Sequence, residues 1–154
     1  MRKEPRSPAL LPLACTRREA LSLGAGAMGA LLVGCAGAIE GTRTVASEGG
    51  VLRLGFDAHP ELASVGGAVI VQADGKGKPL LVRRDGEASA LALSLACTHM
   101  GCTVRPAEGG DGLACPCHGS RFDAGGAVTR GPAKAPLDRR AAEVGADAVL
   151  VHLS

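Results

Sequence analysis

Hydrophobic residues alternate with polar or small residues in several short runs after residue 50. A period of two predicts half-buried β-strands, because successive side chains of a strand point to opposite faces of its sheet. Asp74-Gly75 and Asp85-Gly86 lie between such runs and predict hairpin turns. No segment after residue 40 has the spacing of an amphipathic helix. The alternating positions are Leu52, Leu54 and Phe56; Leu80 and Val82; Leu91, Leu93 and Leu95; and Val149, Val151 and Leu153.

This pattern predicts an all-β fold for most of the chain. We expect residues 51–154 to form one small antiparallel β domain with a loop-rich insert from about 97 to 136. Consecutive strands joined by short turns favour a sandwich or an open barrel over a parallel sheet. Residues 40–50 are mostly small and polar, and we expect them to be a linker.

The N-terminal segment, residues 1–39, has the features of an export signal. Arg17 and Arg18 precede a stretch without charge over residues 20–39, and its hydrophobicity is weak. A basic flank followed by such a stretch is typical of a signal sequence. Residues 16–21 resemble a twin-arginine export motif, which implies transport of a folded protein.

The end of this segment allows three outcomes. Residues 32–35 resemble a lipobox, which implies cleavage before Cys35 and attachment of lipid to that residue. The rival outcomes are simple cleavage, or retention of residues 20–39 as a membrane-spanning helix. Each outcome places residues 40–154 on the extracytoplasmic, periplasmic side of the cytoplasmic membrane. Cys15 has no role that the sequence suggests.

Composition narrows the class of partner. The chain has no Trp or Tyr and two Phe, and its net charge is +2. Modules that bind nucleic acid depend on aromatic stacking platforms or strongly basic surfaces, so we expect no nucleic-acid partner. The length of 154 residues allows one domain and a terminal segment.

Two compact motifs carry the candidate chemistry: CTHMGC over residues 97–102 and CPCHGS over residues 115–120. Each offers thiolates and an imidazole from a tight loop, so two such loops can close over one metal centre. Structural zinc, an all-cysteine 2Fe–2S cluster and two disulfides without metal are alternatives. The last two leave His99 and His118 unexplained, whereas a mixed centre of two Cys and two His, with a disulfide between the remaining pair, accounts for all six residues.

Together with the later segment GAVTRGPAKAPL, these motifs resemble the Rieske iron–sulfur family from Cys97 to about Leu137. The resemblance implies a Rieske-type β fold and a 2Fe–2S cluster. The implied ligands are Cys97 and Cys115 for the inner iron and His99 and His118 for the outer iron. The same resemblance implies a disulfide that joins the two loops, between Cys102 and Cys117.

Further residues have implied roles in this family. Gly131-Pro132-Ala133 resembles the proline loop that covers the cluster, and Ser120 resembles the residue that donates to a bridging sulfide. His118 would hydrogen-bond a quinol and take its proton. Phe122 stands where the quinol-oxidising members have Tyr, which implies a lower potential.

The sequence thus predicts a membrane-tethered electron-transfer protein. We expect it to be the iron–sulfur subunit of a quinol–cytochrome c reductase, beside a cytochrome b subunit. Its donor would be a quinol or a redox protein, and its acceptor a cytochrome or another redox protein. The alternatives are a subunit of another exported oxidoreductase of the arsenite oxidase type, a stand-alone Rieske lipoprotein, or a metal-stapled structural or binding module.

Overall fold

A computed structural model describes residue 39 and residues 41–110 and 112–154. The predicted export signal, with Cys35, lies outside the described residues except for Ile39. Among the described residues, no helix is long and apolar enough to cross a membrane. The regular elements are a 3₁₀ helix Pro60–Ala63 and the strands β1 Arg43–Val45, β2 Ser47–Glu48, β3 Val51–Gly55, β4 Ala68–Ala73, β5 Leu80–Arg84, β6 Ala90–Ser94, β7 Arg105–Pro106, β8 Leu113–Ala114, β9 Arg121–Phe122, β10 Val128–Arg130, β11 Arg139–Arg140, β12 Ala142–Val144 and β13 Ala148–His152.

The strands form three sheets, which confirms the all-β prediction. One sheet has the order β1-β4-β5-β6-β11, a second has the order β12-β13-β3-β2, and a third has the order β10-β9-β8-β7. Alternation decides the inward face: in β3, Leu52 and Leu54 are buried while Arg53 between them is exposed. In β13, Val149 and Val151 are buried on the same side.

The five-stranded sheet has apolar side chains on both faces, which pack against two different cores. Val69 and Val71 of β4 pack into one core with Leu52 and Leu54, whereas Ile70 packs against the other. A strand buried on both faces shows a continuous apolar run and no alternation. This explains why the period-two pattern did not single out β4.

The segment 40–50, which we expected to be a linker, contributes strands β1 and β2. The β1 strand pairs with β4 in parallel, with Arg43 opposite Val71, so the fold is not wholly antiparallel. Ser47 fixes the end of this segment, since its N–H and hydroxyl both donate to the Asp74 carboxylate, at 2.8 and 2.6 Å. Small polar residues form strands here because neighbouring sheet edges offer backbone partners.

The second core lies under the predicted insert and supports its loops. The sheet β10-β9-β8-β7 turns one row of side chains toward this core, with Leu113 opposite Phe122 and Phe122 opposite Val128. Leu113 and Phe122 are 3% and 1% exposed. The remaining buried members of this core are Leu91, Leu93, Leu95, Cys97, Val104, Cys115, Ala133 and Leu137.

His59, in the turn before the 3₁₀ helix, is a buried titratable residue. Its Nδ1 lies 3.1 Å from Nη1 of Arg43, whose Nη2 also donates to Glu61 at 2.8 Å. Because the guanidinium can only donate, Nδ1 accepts and the neutral ring is the form that fits. Burial, reinforced by the Arg43 charge, lowers the pKa of His59, while Glu61 and Asp57 oppose the shift.

This lowered pKa predicts a loss of stability in acid. The unfolded chain takes up a proton near pH 6.5 whereas the folded chain resists it, so stability falls as the pH drops below about 6.5. The loss is complete only below the folded pKa. We expect the free energy of unfolding in urea to fall between pH 7.5 and 5, and His59→Asn to remove most of that change. An equal pH dependence in the variant would contradict this assignment.

Candidate metal centre

Two six-residue loops with the same backbone hydrogen bonds carry the candidate ligands. In the first loop, residues 97–102, the Gly101 N–H donates to the Cys97 carbonyl at 2.7 Å, and the Cys97 N–H donates to the Cys102 carbonyl at 2.8 Å. In the second loop, residues 115–120, Gly119 donates to Cys115 at 3.0 Å, and Cys115 donates to Ser120 at 2.8 Å. Each loop therefore curls back onto the backbone of its own first residue.

Glycine at the fifth position makes this curl possible. Gly101 has φ of +70° and Gly119 has φ of +75°. This left-handed conformation is unfavourable for most side chains but open to glycine. The two motifs share this position in sequence, so the common loop geometry follows from the chain itself.

The first residue of each loop is a buried free thiol. Cys97 and Cys115 are 3% and 2% exposed, and neither is in a disulfide. Burial raises the pKa of the Cys97 thiol, but the His99 N–H, the Cys115 thiol, the Ser120 hydroxyl and the Met100 N–H hold it below its usual range. Hydrogen bonds onto the sulfur favour the thiolate, the form that binds metal.

The pKa of the Cys115 thiol is shifted the other way, above its usual range. Burial raises the pKa of its thiol, and the neighbouring Cys97 adds to the rise, while the N–H groups of Cys117 and His118 oppose it. Two thiolates side by side repel each other unless a cation lies between them. The pair therefore fits a site that gains a metal cation when it is filled.

The two histidines lie at the surface, next to each other. His99 and His118 are exposed, and their ring centroids are 4.8 Å apart, edge to face. The sequence separates them by the whole β7–β8 hairpin, and the two loops bring them together. The site thus has a buried thiol side and an exposed imidazole side.

Cys102 and Cys117 form a disulfide between the loops, with Cα atoms 6.5 Å apart. Their sulfurs lie within 4.8 Å of each other and of the Cys115 sulfur. A sulfur held in a disulfide is not a thiolate ligand, so this pairing argues against both an all-cysteine cluster and a zinc site made of these residues.

A third loop, residues 131–136, is hydrogen-bonded to both ligand loops. The Ala133 N–H donates to the Ser120 hydroxyl at 3.0 Å, and Ser120 is fully buried. The Thr98 hydroxyl donates to the Ala135 carbonyl at 2.6 Å. Sequence reasoning singled out Ser120 but missed Thr98, because a threonine beside a candidate ligand gives no sign of its partner in another loop.

The donor set fits a mixed 2Fe–2S cluster. Two buried thiols receive hydrogen bonds on their sulfurs, and two imidazoles lie at the exposed side of the same loops. Soft thiolates and neutral imidazoles are the ligands of a Rieske centre. Every candidate residue of the two motifs then has a place, including the disulfide pair.

Comparisons with known proteins agree with this geometry. A model of the family described as Rieske [2Fe-2S] domain matches residues 60–142. The cytochrome b6-f complex iron-sulfur subunit 2 of Trichormus variabilis is 43% identical over 101 residues, 59% of this chain and 55% of that protein. The cytochrome b6-f complex iron-sulfur subunit of Prochlorococcus marinus subsp. pastoris is 45% identical over 78 residues, 49% of this chain and 44% of that protein. The chain spans about half the length of the curated relatives it matches.

A solved structure shows the same fold. The crystal structure of the cyanobacterial plasma membrane Rieske protein PetC3 from Synechocystis PCC 6803 matches with a TM-score of 0.51 and 30% identity. The match covers 65% of this chain and 97% of that chain. Since the family model spans both ligand loops and more than half of the residues, this chain belongs to the Rieske [2Fe-2S] domain family and carries that family's electron-transfer cofactor.

Proposed function

We propose that this protein moves single electrons from a quinol to a redox protein at a membrane surface. The observation that carries the proposal is the convergence of two matched loops, which bring buried thiols and exposed imidazoles to one place. Cys97 and Cys115 would hold the inner iron, and His99 and His118 the outer iron. When bound, the cluster supplies a one-electron couple, within about −150 to +300 mV for centres of this type.

The exposure of the imidazoles suits them to a proton-coupled step. In our proposal a quinol hydroxyl would donate a hydrogen bond, and then its proton, to the free ring nitrogen of His118, in the form of the ring in which that nitrogen carries no proton of its own. The bound cluster would supply the acceptor for the electron that leaves the quinol with this proton, so electron and proton uptake would be linked at this residue.

Oxidation of a quinol by the purified full-length protein tests the donor. With excess decylubiquinol, we expect the visible absorbance of the oxidised cluster to bleach by one electron per chain, and faster as the pH rises. Reduction by dithionite but not by the quinol would overturn the quinol as donor. The electron donor would then be a protein, as in the alternative that the chain is a subunit of an oxidoreductase of the arsenite oxidase type.

A stand-alone Rieske protein is the second candidate. The structural match that favours it is PetC3, described as a plasma membrane Rieske protein, of which this chain covers 97%. Copurification separates the two candidates. A cytochrome b subunit should remain with the tagged full-length protein after mild detergent extraction if it is a subunit of a quinol–cytochrome c reductase, and no such subunit should remain if it stands alone.

The membrane tether forms part of the proposal, through lipid on Cys35. Acyl chains contribute about 0.8 kcal/mol per buried CH₂, so two or more chains anchor a protein stably. We expect the intact mass of the membrane form to show a lipidated chain that begins at Cys35. Cys35→Ala should lose the lipid and remain uncleaved or be released. A wild-type chain that begins at Met1 in the membrane would favour the spanning helix instead.

We expect the side chain at position 122 to change the reduction potential of the cluster. Phe122 lies in the same buried core as Cys97 and Cys115 and has no polar atom on its ring. A tyrosine hydroxyl there could donate to a thiolate, and such a bond favours the more negative, reduced centre. A charge-assisted hydrogen bond is worth roughly 1.5–3 kcal/mol. Only the difference in its strength between the reduced and the oxidised cluster changes the potential. A difference of about 1 kcal/mol corresponds to about 40 mV for a one-electron couple.

We therefore expect Phe122→Tyr to raise the midpoint potential by a few tens of millivolts in voltammetry. Both proteins should be measured in the same buffer at the same pH. Ser120→Ala should lower the potential, because it removes a hydroxyl that hydrogen-bonds the Cys97 sulfur. An unchanged or lower potential in Phe122→Tyr would mean that position 122 does not face the cluster.

A further inference from the structure

The sheet that carries the second ligand loop has a row of arginines on its outer face. Arg105 is opposite Ala114, Ala114 is opposite Arg121, and Arg121 pairs with Arg130 after a shift in register between Val128 and Arg130, so one residue from each strand lies in the row. Directly opposed residues share a face of a sheet. In the other row of this sheet Leu113 and Phe122 are buried, whereas the three arginines are exposed.

The arginine row lies at the ends of the strands that lead into the metal-site loops. Arg121 directly follows Ser120, and Ala114 directly precedes Cys115. Arg130 ends β10, directly before the third loop, residues 131–136. With strands about 4.8 Å apart, the outer two arginines are roughly 14 Å apart across the sheet. The row is therefore wide enough to contact a partner protein beside the metal site.

These arginines differ from most of the others in the fold. Among the described residues, Arg105, Arg121 and Arg130 make no ion pair and no side-chain hydrogen bond. By contrast, five arginines are tied to carboxylates or carbonyls, namely Arg43, Arg53, Arg83, Arg84 and Arg139. Exposed charges that do nothing for the fold are free to interact with a partner.

The same sheet is polarised in charge along its strands. Glu108 lies in the β7–β8 hairpin and Asp123 in the β9–β10 hairpin, both at the ends of the strands away from the metal site. The Asp123 carboxylate is used within its own turn, where it accepts the N–H groups of Gly125 and Ala127. The positive charge is therefore concentrated next to the metal site.

We propose that the arginine row docks an acidic surface of the redox protein that exchanges electrons with this centre. This inference rests on the proposed electron-transfer function and names the chemistry of its partner. Carboxylates on the partner would meet the guanidinium groups, and the attraction would steer its redox centre toward the metal site. A partner needs this nearness to the cluster, whereas an anionic lipid surface does not, which is why a protein is the favoured occupant.

Charged small oxidants and an acidic polymer test the row on the full-length protein with its cluster. The row variant combines Arg105→Gln, Arg121→Gln and Arg130→Gln. The control variant removes the same charge elsewhere, through Arg53→Gln, Lys76→Gln and Arg140→Gln. Each protein is reduced, and its one-electron oxidation by ferricyanide, an anion, or by tris(phenanthroline)cobalt(III), a cation, is followed by stopped flow.

At about 10 mM ionic strength, where screening is weak, we expect ferricyanide to oxidise the row variant about tenfold more slowly than the wild type. The cobalt complex should react faster with the row variant, and the control variant should resemble the wild type. Short poly-L-glutamate should slow ferricyanide with the wild type but not with the row variant. High salt should remove all these differences.

Three results would overturn the proposal. The first is an equal oxidation rate for the row and control variants, and the second is no effect of polyglutamate on the wild type. The third is that the row substitutions leave the oxidation rates unchanged and weaken only the preference of the protein for phosphatidylglycerol vesicles over phosphatidylcholine vesicles. The last result would assign the row to lipid. Failure of the proposed function looks different, because wild-type protein without a reducible cluster would show no oxidation signal with either reagent.

Discussion

Replacing His99 or His118 with alanine is expected to abolish the 2Fe–2S spectrum. The outer iron would lose half of its protein ligands, and no other imidazole or free thiol lies at the exposed side of the two loops among the described residues. The purified variants should contain little iron and sulfide, and they should lack the visible absorbance of the oxidised centre.

His152→Ala is the matched control for these variants. His152 lies on β13 in the other part of the fold, 3.8 Å from the Glu143 carboxylate and partly exposed. This variant should retain full iron, sulfide and absorbance. A His99→Ala or His118→Ala protein with an intact spectrum would show that the imidazoles are not ligands.

Loss of the disulfide has the second largest expected effect. The Cys102–Cys117 bond closes a loop with a sequence separation of 15 residues. In the chain-entropy model such a loop contributes about 3 kcal/mol to the free energy of unfolding. We expect Cys102→Ser to lose about this amount in urea unfolding, and to lose its cluster at lower denaturant concentration than its β-sheet signal.

The double variant sharpens this test. If the two cysteines act only through their bond, then Cys117→Ser and the combined Cys102→Ser/Cys117→Ser protein should each lose about as much as Cys102→Ser alone. Losses that add would point to separate roles for the two side chains. Mass mapping that finds both thiols free in the purified wild-type protein would refute the disulfide itself.

Much of the fold could be predicted from local pattern. Alternation at Leu52 and Leu54 located β3, because one face of that strand is solvated and the other is buried. The same rule could not find β4, which carries apolar side chains on both faces. It also could not find β1, whose parallel pairing depends on an edge that only the folded sheet offers. Long-range pairing is not written in local periodicity.

The site was more predictable than the sheets around it. The metal chemistry needs Cys and His at fixed spacings within short loops, so the motif itself carries the information. The link from Thr98 to Ala135 spans 37 residues and left no trace in the sequence pattern. The arginine row likewise becomes visible only through the register of four strands, since Arg105, Arg121 and Arg130 are far apart in the chain.

Electron–nuclear double resonance on the reduced, full-length protein, combined with iron and sulfide analysis, tests the central claim most directly. Our account predicts about two irons and two sulfides per chain, with two histidine nitrogens strongly coupled to the electron spin. Both couplings should be absent from His99→Ala and His118→Ala. A single zinc without sulfide, or an iron–sulfur signal without nitrogen coupling, would contradict the account.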